Sequence, residues 1–254
     1  MSTLDKSCNT LQDVAGYGPR LRLARLQELT GIPKPTLHRL LKTMLQHGLI
    51  QQEDIGTYSV GSQLFHLARH VYEQVSVPPA ARQVMMDLQH HVGETIHISA
   101  FRGGQLVYVE KLEAPHPLQM ISRIGKFQRL HSSSIGKAVL SLLPQPEAYR
   151  LLSRGELRRF APNTVIDVGR LLDLLPIIAA QGYAIDDEED EPGLRAIGCA
   201  ICDQIGAPIG GLSIVAPSFQ MSLGQAYGYA PLLTKAAAQI AELMQSPSPS
   251  SPSR

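Results

Sequence analysis

The chain has little net charge, little cysteine and no long apolar run. Over 254 residues, 23 Lys and Arg face 22 Asp and Glu, a formal net charge of +1, so whole-chain charge does not mark a nucleic-acid binder. Three cysteines form an odd count without framework spacing. That excludes a disulfide scaffold and sets the expectation of a reduced, cytoplasmic protein. There is no charged-then-apolar leader and no stretch of about 18 apolar residues, so neither a signal peptide nor a membrane span is expected. The remainder, 44% apolar and 18% charged, is ordinary for a globular chain of one or two domains.

Several chemical signatures are present only in part. Ser134-Ile135-Gly136-Lys137 matches S-x-x-K, but nucleophilic enzymes of that kind also need S-D-N and K-T-G elements, and the chain has neither. A P-loop would need glycine where His131 stands and Ser or Thr where Ala138 stands. Cys199 and Cys202 form a C-x-x-C, yet on an alternating strand they face opposite ways and no second pair exists, so they read as small apolar residues. His90, His91, Glu94 and His97 straddle a helix end, a glycine turn and a strand, so no regular face gathers them for a metal. Asp186 to Glu191 is an unbroken acidic run without calcium-loop spacing, by default a solvated turn. No metal and no cofactor is expected.

What is there begins at Pro35. Leu37, Leu40, Leu41, Met44 and Leu45 fall at i, i+3, i+4, i+7 and i+8, one apolar stripe of a helix. At about 100° per residue, Arg39, Lys42, Thr43 and Gln46 gather on the opposite side, flanked by Thr36 and His38. Gly48 is a natural stop. Upstream, Leu23 to Leu29 is a shorter amphipathic stretch, and Thr30-Gly31-Ile32-Pro33-Lys34 is a tight turn. This reads either as a helix-turn-helix, whose second helix enters a major groove, or as an ordinary αα-hairpin. The residues beyond Gly48 favour the first. Leu49 to Gln52 and Thr57 to Val60 read as strands about the turn Glu53-Asp54-Ile55-Gly56, a wing. Arg20 to Leu23 alternates and offers a third strand. Residues 1–60 hold seven Lys and Arg against five Asp and Glu, so the small positive excess lies here.

In this stretch, and beyond it, the sequence resembles the IclR-type transcriptional regulators. The resemblance rests on Ile32-Pro33-Lys34-Pro35-Thr36-Leu37-His38-Arg39-Leu40-Leu41 and Tyr58-Ser59-Val60-Gly61. It continues in Gly93-Glu94-Thr95-Ile96-His97, Leu130-His131, Ile135-Gly136-Lys137-Ala138, Gly182 to Glu189 and Pro192-Gly193-Leu194-Arg195. Pro35 stands where the family usually has a serine, which removes one hydroxyl able to reach a phosphate.

Along the rest of the chain, Leu4, Cys8, Leu11, Val14 and Ala15 space a first helix, ended by Gly16-Tyr17-Gly18-Pro19. Ser62 to Gln74 is amphipathic, with Leu64, Leu67, Ala68, Val71 and Val75 on one stripe; it either docks on its own second domain or, as the resemblance implies, serves as a linker helix in a dimer interface. Helices are expected over Ala80–His91, Ile135–Leu143, Glu147–Ser153, Arg170–Gln181 and Leu223–Met244. Strands are expected over Thr95–Phe101, Gln105–Leu112, Leu118–Arg123, Tyr183–Asp186, Ala196–Cys202 and Pro208–Ala216. Antiparallel pairs with helices at both ends give an α+β layer fold; the resemblance makes it a GAF-like antiparallel sheet with helices. Ser246 to Arg254 alternates Ser and Pro and reads as a disordered tail. The expected organisation is a winged helix-turn-helix domain over 1–61, a linker helix over 62–77, an effector domain over 78–245 and the tail.

The function implied is a DNA-binding regulator, not an enzyme, with double-stranded operator DNA, a small organic-acid effector and a second copy (a homodimer or tetramer) as partners, and no membrane. Operator contacts are expected from Lys34, Thr36, His38, Arg39, Lys42, Thr43 and Gln46. Carried over by motif, the effector residues are Ser134, Ile135, Asp186, Leu194, Ala196, Ser213 and Val215. Ala196 replaces a frequent Cys and Val215 replaces a Ser, so one wall loses polar groups and an apolar or ring-containing acid is expected. Two rivals remain: an enzyme on a GAF-like scaffold using Ser134 and Lys137 with an accessory helical domain, and a regulator whose second domain only mediates protein contacts.

Overall fold

The computed structural model describes residues 2–18, 21–53, 56–115 and 122–245, and the chain divides into two compact units, Met1–Gln74 and Val75–Arg254.

In the first unit, helix α1 (Thr3–Tyr17) starts at a capping box, with Asp5 N–H donating to Ser2 Oγ at 3.1 Å and Ser2 N–H to Asp5 Oδ2 at 2.7 Å. A two-residue strand β1 (Leu21–Arg22) leads into α2 (Leu23–Thr30), α3 (Lys34–Gln46), β2 (Ile50–Gln52), β3 (Thr57–Val60) and α4 (Ser62–Val75). Gly31, left-handed, closes α2 by donating to Gln27 O at 2.9 Å. Pro35 sits in the first turn of α3, where its missing N–H costs nothing. The core is Val14, Leu26, Ile32, Leu37, Leu40, Leu41, Met44 and Ile50, so the α3 stripe is inward as the periodicity requires. The strands form one sheet in the order β1-β3-β2, with Leu21 opposite Tyr58 and Ile50 opposite Val60. Arg20, Pro19, Asp54 and Ile55 lie outside the described residues.

The α1 stripe is only half used. Val14 is buried and Leu11 packs beside it, but Leu4 is 71% exposed and Cys8 is exposed. The first turns of α1 instead border an apolar groove with Leu40, Met44 and Leu49. The spacing of Leu4 and Cys8 marks an apolar face, but the helix overhangs the core there. On α4, Leu67 and Val71 are 50% and 58% exposed.

The second unit runs α5 (Pro79–Val92), β4 (Thr95–Arg102), β5 (Gln105–Leu112), β6 (Phe127–Gln128), α6 (Ser134–Leu142), α7 (Gln145–Leu152), α8 (Val168–Gln181), β7 (Ala184–Asp187), β8 (Leu194–Cys202), β9 (Pro208–Pro217), α9 (Leu223–Gly228) and α10 (Ala230–Gln245). Its strands form an antiparallel sheet in the order β6-β5-β4-β9-β8-β7. Alternation along the strands divides it into two faces. Ile96, Ile98, Ile197, Cys199, Leu212 and Ile214 point into a core closed by α5 and α10. The residues between them, including His97, Ser99, Gly198, Ala200 and Ser213, point the other way, toward α6.

Two expectations change. Residues 118–121 of the expected third strand lie outside the described residues, Ser122 and Arg123 are not in a strand, and the sheet edge is β6. The closing helix is broken at Tyr229, because Pro231 supplies no N–H to carry the hydrogen-bond ladder across that turn. The Ser-Pro tail, 246–254, lies outside the described residues.

Candidate functional site

On α3, Lys34, His38, Arg39, Lys42, Thr43 and Gln46 are exposed and Thr36 is half-buried. The helix presents these residues because Leu37, Leu40, Leu41 and Met44 hold its other side in the core. Arg25 on α2 is taken up by Glu28 at 2.8 Å, whereas Arg39 and Lys42 carry no ion pair among the described residues. Arg39, Thr43 and His47 border the groove against α1, and Thr43 Oγ1 donates back to Arg39 O at 3.1 Å. His38 and Lys42 are turned away from that groove.

The second site lies under the N-terminus of α6. The helix begins at Ser134, capped by Ser133, whose Oγ accepts from Gly136 N–H at 3.1 Å. The other N–H groups of a first turn have no partner in their own helix and sit at the positive end of its dipole. The end of the helix is pressed onto the sheet: a Cβ on Gly198 would stand 2.7 Å from both Ile135 N and Ser134 Oγ, and one on Gly211 would stand 2.4 Å from Ile135 Cγ2. Only glycine at both positions permits that approach.

A cavity of about 60 Å³ opens beside this end. One wall is Leu194, Ala196 and Val215, the apolar wall that the substitutions for Cys and Ser imply; the rest is His97, Tyr108, Ser122, Gln128, Arg129, Ser134, Asp186 and Asp190 among others. Five of the seven residues expected at the site therefore line it. Ile135 does not: it is fully buried against Leu106 and Val139. Ser213 does not line it either. It is buried directly opposite His97 across the β4–β9 pair, and its Oγ has no partner among the described residues.

The acidic run is not a solvated turn. Asp186 lies on β7 and is buried, and its Oδ1 accepts from the N–H groups of Glu189 at 2.8 Å and Asp190 at 3.2 Å. Burial, then the neighbouring Asp190, push the Asp186 carboxyl up to about 7, against Lys137 and the two backbone donors. Glu189 pairs with the buried amine of Lys137, and burial raises its carboxyl as well. Asp190 accepts from Ser132 Oγ and pairs with Arg129 at 2.9 Å, whose guanidinium lies 3.7 Å from the Phe160 ring centre. The run turns inward because three donors, Lys137, Arg129 and Ser132, stand on the α6 side to receive it. A charge run read without those long-range partners looks like surface.

His97 is legible in the sequence as part of a motif but not as a site residue. It is buried, its Nε2 lies 2.7 Å from Ser122 Oγ, and its ring packs against Tyr108 with centres 4.9 Å apart. Burial, then Lys111, lower its imidazole to about 3, so the ring is neutral. Burial raises the Tyr108 hydroxyl, so it too is neutral. The Cys199 thiol is pushed up to about 12 by burial, which makes it inert in the core. Among the described residues, no group of His, Cys, Asp and Glu could hold a metal, and no helix is long and apolar enough to cross a membrane.

The comparisons with known proteins agree along the chain. The family described as bacterial transcriptional regulator IclR C-terminal matches residues 69–242, and the IclR helix-turn-helix domain matches residues 3–54. The HTH-type transcriptional regulator KdgR of Dickeya chrysanthemi is 34% identical over 230 residues, 90% of this chain and 75% of that protein. The C-terminal domain of Escherichia coli KdgR has a similar structure, with a TM-score of 0.58 and 32% identity over 65% of this chain and 96% of that one. An IclR homolog of Microbacterium hydrocarbonoxydans, solved with 4-hydroxybenzoate, shares the fold with a TM-score of 0.77 at 22% identity, over 96% of this chain and 99% of that one.

Proposed function

The chain belongs to the IclR family of bacterial transcriptional regulators, and from that premise we propose that α3 reads operator DNA and that a small organic acid bound under α6 sets how tightly it does so. The observation that carries the reading is the cavity at the α6 N-terminus, where helix N–H donors, Ser134, Lys126 and Arg129 face an apolar wall. A helix N-terminus favours an anion, so the effector's carboxylate lies toward Ser134. The charge of Asp186 would oppose it, but a carboxyl titrating at about 7 is protonated in half the molecules at neutral pH. Leu194, Ala196 and Val215 accept an apolar or ring-containing body; the 4-hydroxybenzoate held by the Microbacterium homolog is an acid of that description.

The mechanism is a population shift. The effector binds one arrangement of the protein better than another, and operator affinity changes by that difference. The regulator acts as a dimer at least, because symmetric helix-turn-helix proteins read paired half-sites and the exposed Leu67 and Val71 of α4 offer a contact. Sedimentation of a micromolar solution is expected to give a dimer or larger; a monomer with full operator affinity would overturn this. The enzymatic rival needs a Lys137 amine free to take a proton from Ser134, and its pairing with Glu189 speaks against it.

A panel of aliphatic oxoacids, sugar acids and aromatic acids, scored by thermal shift and by release from operator DNA, tests the reading. Acids with an apolar or ring-containing body should raise the melting temperature and change operator affinity. Action by only the smallest polar oxoacids would refute the site, as would a wild-type response from Asp186→Ala with Ser213→Ala. No thermal response to any acid favours a domain that only makes protein contacts.

A further inference from the structure

Three buried polar atoms around α6 have no hydrogen-bond partner among the described residues: His97 Nδ1, Ser213 Oγ and Glu189 Oε2. Of their residues only His97 lines the cavity. A buried polar atom left without a partner costs about 1–3 kcal/mol, so a neutral imidazole held at a cavity wall by one nitrogen, with the other idle, is a feature that a ligand explains. We propose that His97 selects a hydroxyl on the effector, accepting from it or donating to it through Nδ1, and that the effector is a hydroxylated monocarboxylic acid. This rests on the effector site proposed above and adds to it the group that the far wall reads.

The chemistry of the partner is set by the surroundings of the ring. Nε2 is fixed at 2.7 Å by Ser122 Oγ, and Lys111 Nζ donates to Ser122 O at 3.0 Å, which anchors that serine. Because the serine hydroxyl can donate to Nε2 or accept from it, Nδ1 is a donor in one tautomer and an acceptor in the other. A hydroxyl satisfies both; a carboxylate satisfies only the first and an ammonium only the second. A second carboxylate would also stand among Asp186, Asp190 and Glu191, which line the same cavity. The ring itself carries no compensating charge, since burial keeps it neutral. Tyr108, packed on the imidazole, holds the ring in place.

The experiment measures binding of matched acids with and without the hydroxyl, namely 4-hydroxybenzoate against benzoate and 3-hydroxybutyrate against butyrate, with the neutral methyl 4-hydroxybenzoate alongside. It uses the full chain, as wild type, His97→Asn and His97→Gln. Asn places its amide near the Nδ1 position and Gln near Nε2. For the wild type, the hydroxylated member of at least one pair should bind about tenfold tighter than its partner, the size of one buried neutral hydrogen bond. H97Q should lose that preference and H97N should keep most of it, with operator binding in the absence of ligand unchanged in both. Equal binding of both members of every pair overturns the proposal while leaving the acid site intact, and it does so on the wild type alone if a variant fails to fold. A preference that survives in H97Q also overturns it. If the neutral ester binds through His97 and the free acids do not, the hydroxyl reading stands and the acid reading falls. No binding by any of the five overturns both.

Discussion

Replacing Gly198 by alanine tests whether the seat of α6 sets both stability and effector response. The new Cβ would meet Ile135 N and Ser134 Oγ at 2.7 Å and Ser134 C at 2.9 Å. Two of those three are backbone atoms of a helix end capped by Ser133 and packed against the sheet, so no side-chain rotation relieves the contact. Overpacking of this kind costs about 1–3 kcal/mol. Taking about 2 kcal/mol, and 2–4 °C per kcal/mol for a domain of this size, the second unit should melt about 4–8 °C lower. The displacement needed is a few tenths of an ångström or more at the N–H groups assigned to the carboxylate, so the effector response should fall at least tenfold while ligand-free operator binding persists. Calorimetry on the full chain and an operator-release titration read the two effects. Gly228→Ala, where nothing lies within 4 Å of the added atom, is the control and should leave both unchanged. A G198A protein that melts within about 1 °C of wild type and responds normally would refute the argument.

Arg39→Ala and Lys42→Ala should each weaken operator binding, and each lost phosphate contact should flatten the salt dependence by about one unit in a log–log plot; wild-type affinity and slope in both proteins would remove α3 from the interface. Asp186 has a folded pKa near 7, above its unfolded value near 4, so the folded state binds the proton more tightly. Its contribution is full below about pH 4 and is lost as pH rises to about 7; urea titrations should show this decline in the wild type and not in Asp186→Asn. Lys137→Met leaves Glu189 buried without its partner and should cost about 3–5 kcal/mol, with Lys137→Met/Glu189→Leu recovering most of it; a loss below about 1 kcal/mol in the single variant would show that the pair is not buried as described.

Local pattern makes most of the framework legible. The 3.6-residue stripe of α3, the glycine stop of α2 and the alternation of β4, β5, β8 and β9 are properties of short stretches, and the elements appear where those patterns stand. The helix break at Tyr229 is also written locally, in Pro231, but the apolar stripe on either side masks it. The site is less legible because it is made of distant pieces. Asp190 and Ser132, 58 residues apart, meet in one hydrogen bond, and no periodicity connects them. The acidic run looks like surface until the amine of Lys137 is placed against it. His97 belongs to a motif, but only its pairing with Ser213 across the sheet and its contact with Ser122, from a segment outside any regular strand, make it part of a cavity wall. Ile135 is a pocket residue by motif, and its backbone does sit at the helix end; its side chain is committed to the core beneath α6.

The two-faced sheet gives a rule for retargeting this regulator as a biosensor. Ile96, Ile98, Ile197, Leu212 and Ile214 hold α5 and α10, whereas His97, Ala196, Ser213 and Val215 sit between them in sequence and turn to the opposite side. A combinatorial library confined to that second set can vary what the cavity recognises with the scaffold residues untouched. A one-residue insertion in β4 or β9 has the opposite character: it exchanges the two sets, puts isoleucines in the ligand's place and a histidine in the core, and destroys recognition and stability together. New specificities should therefore arise in this fold by substitution at alternate positions, while strand length stays fixed.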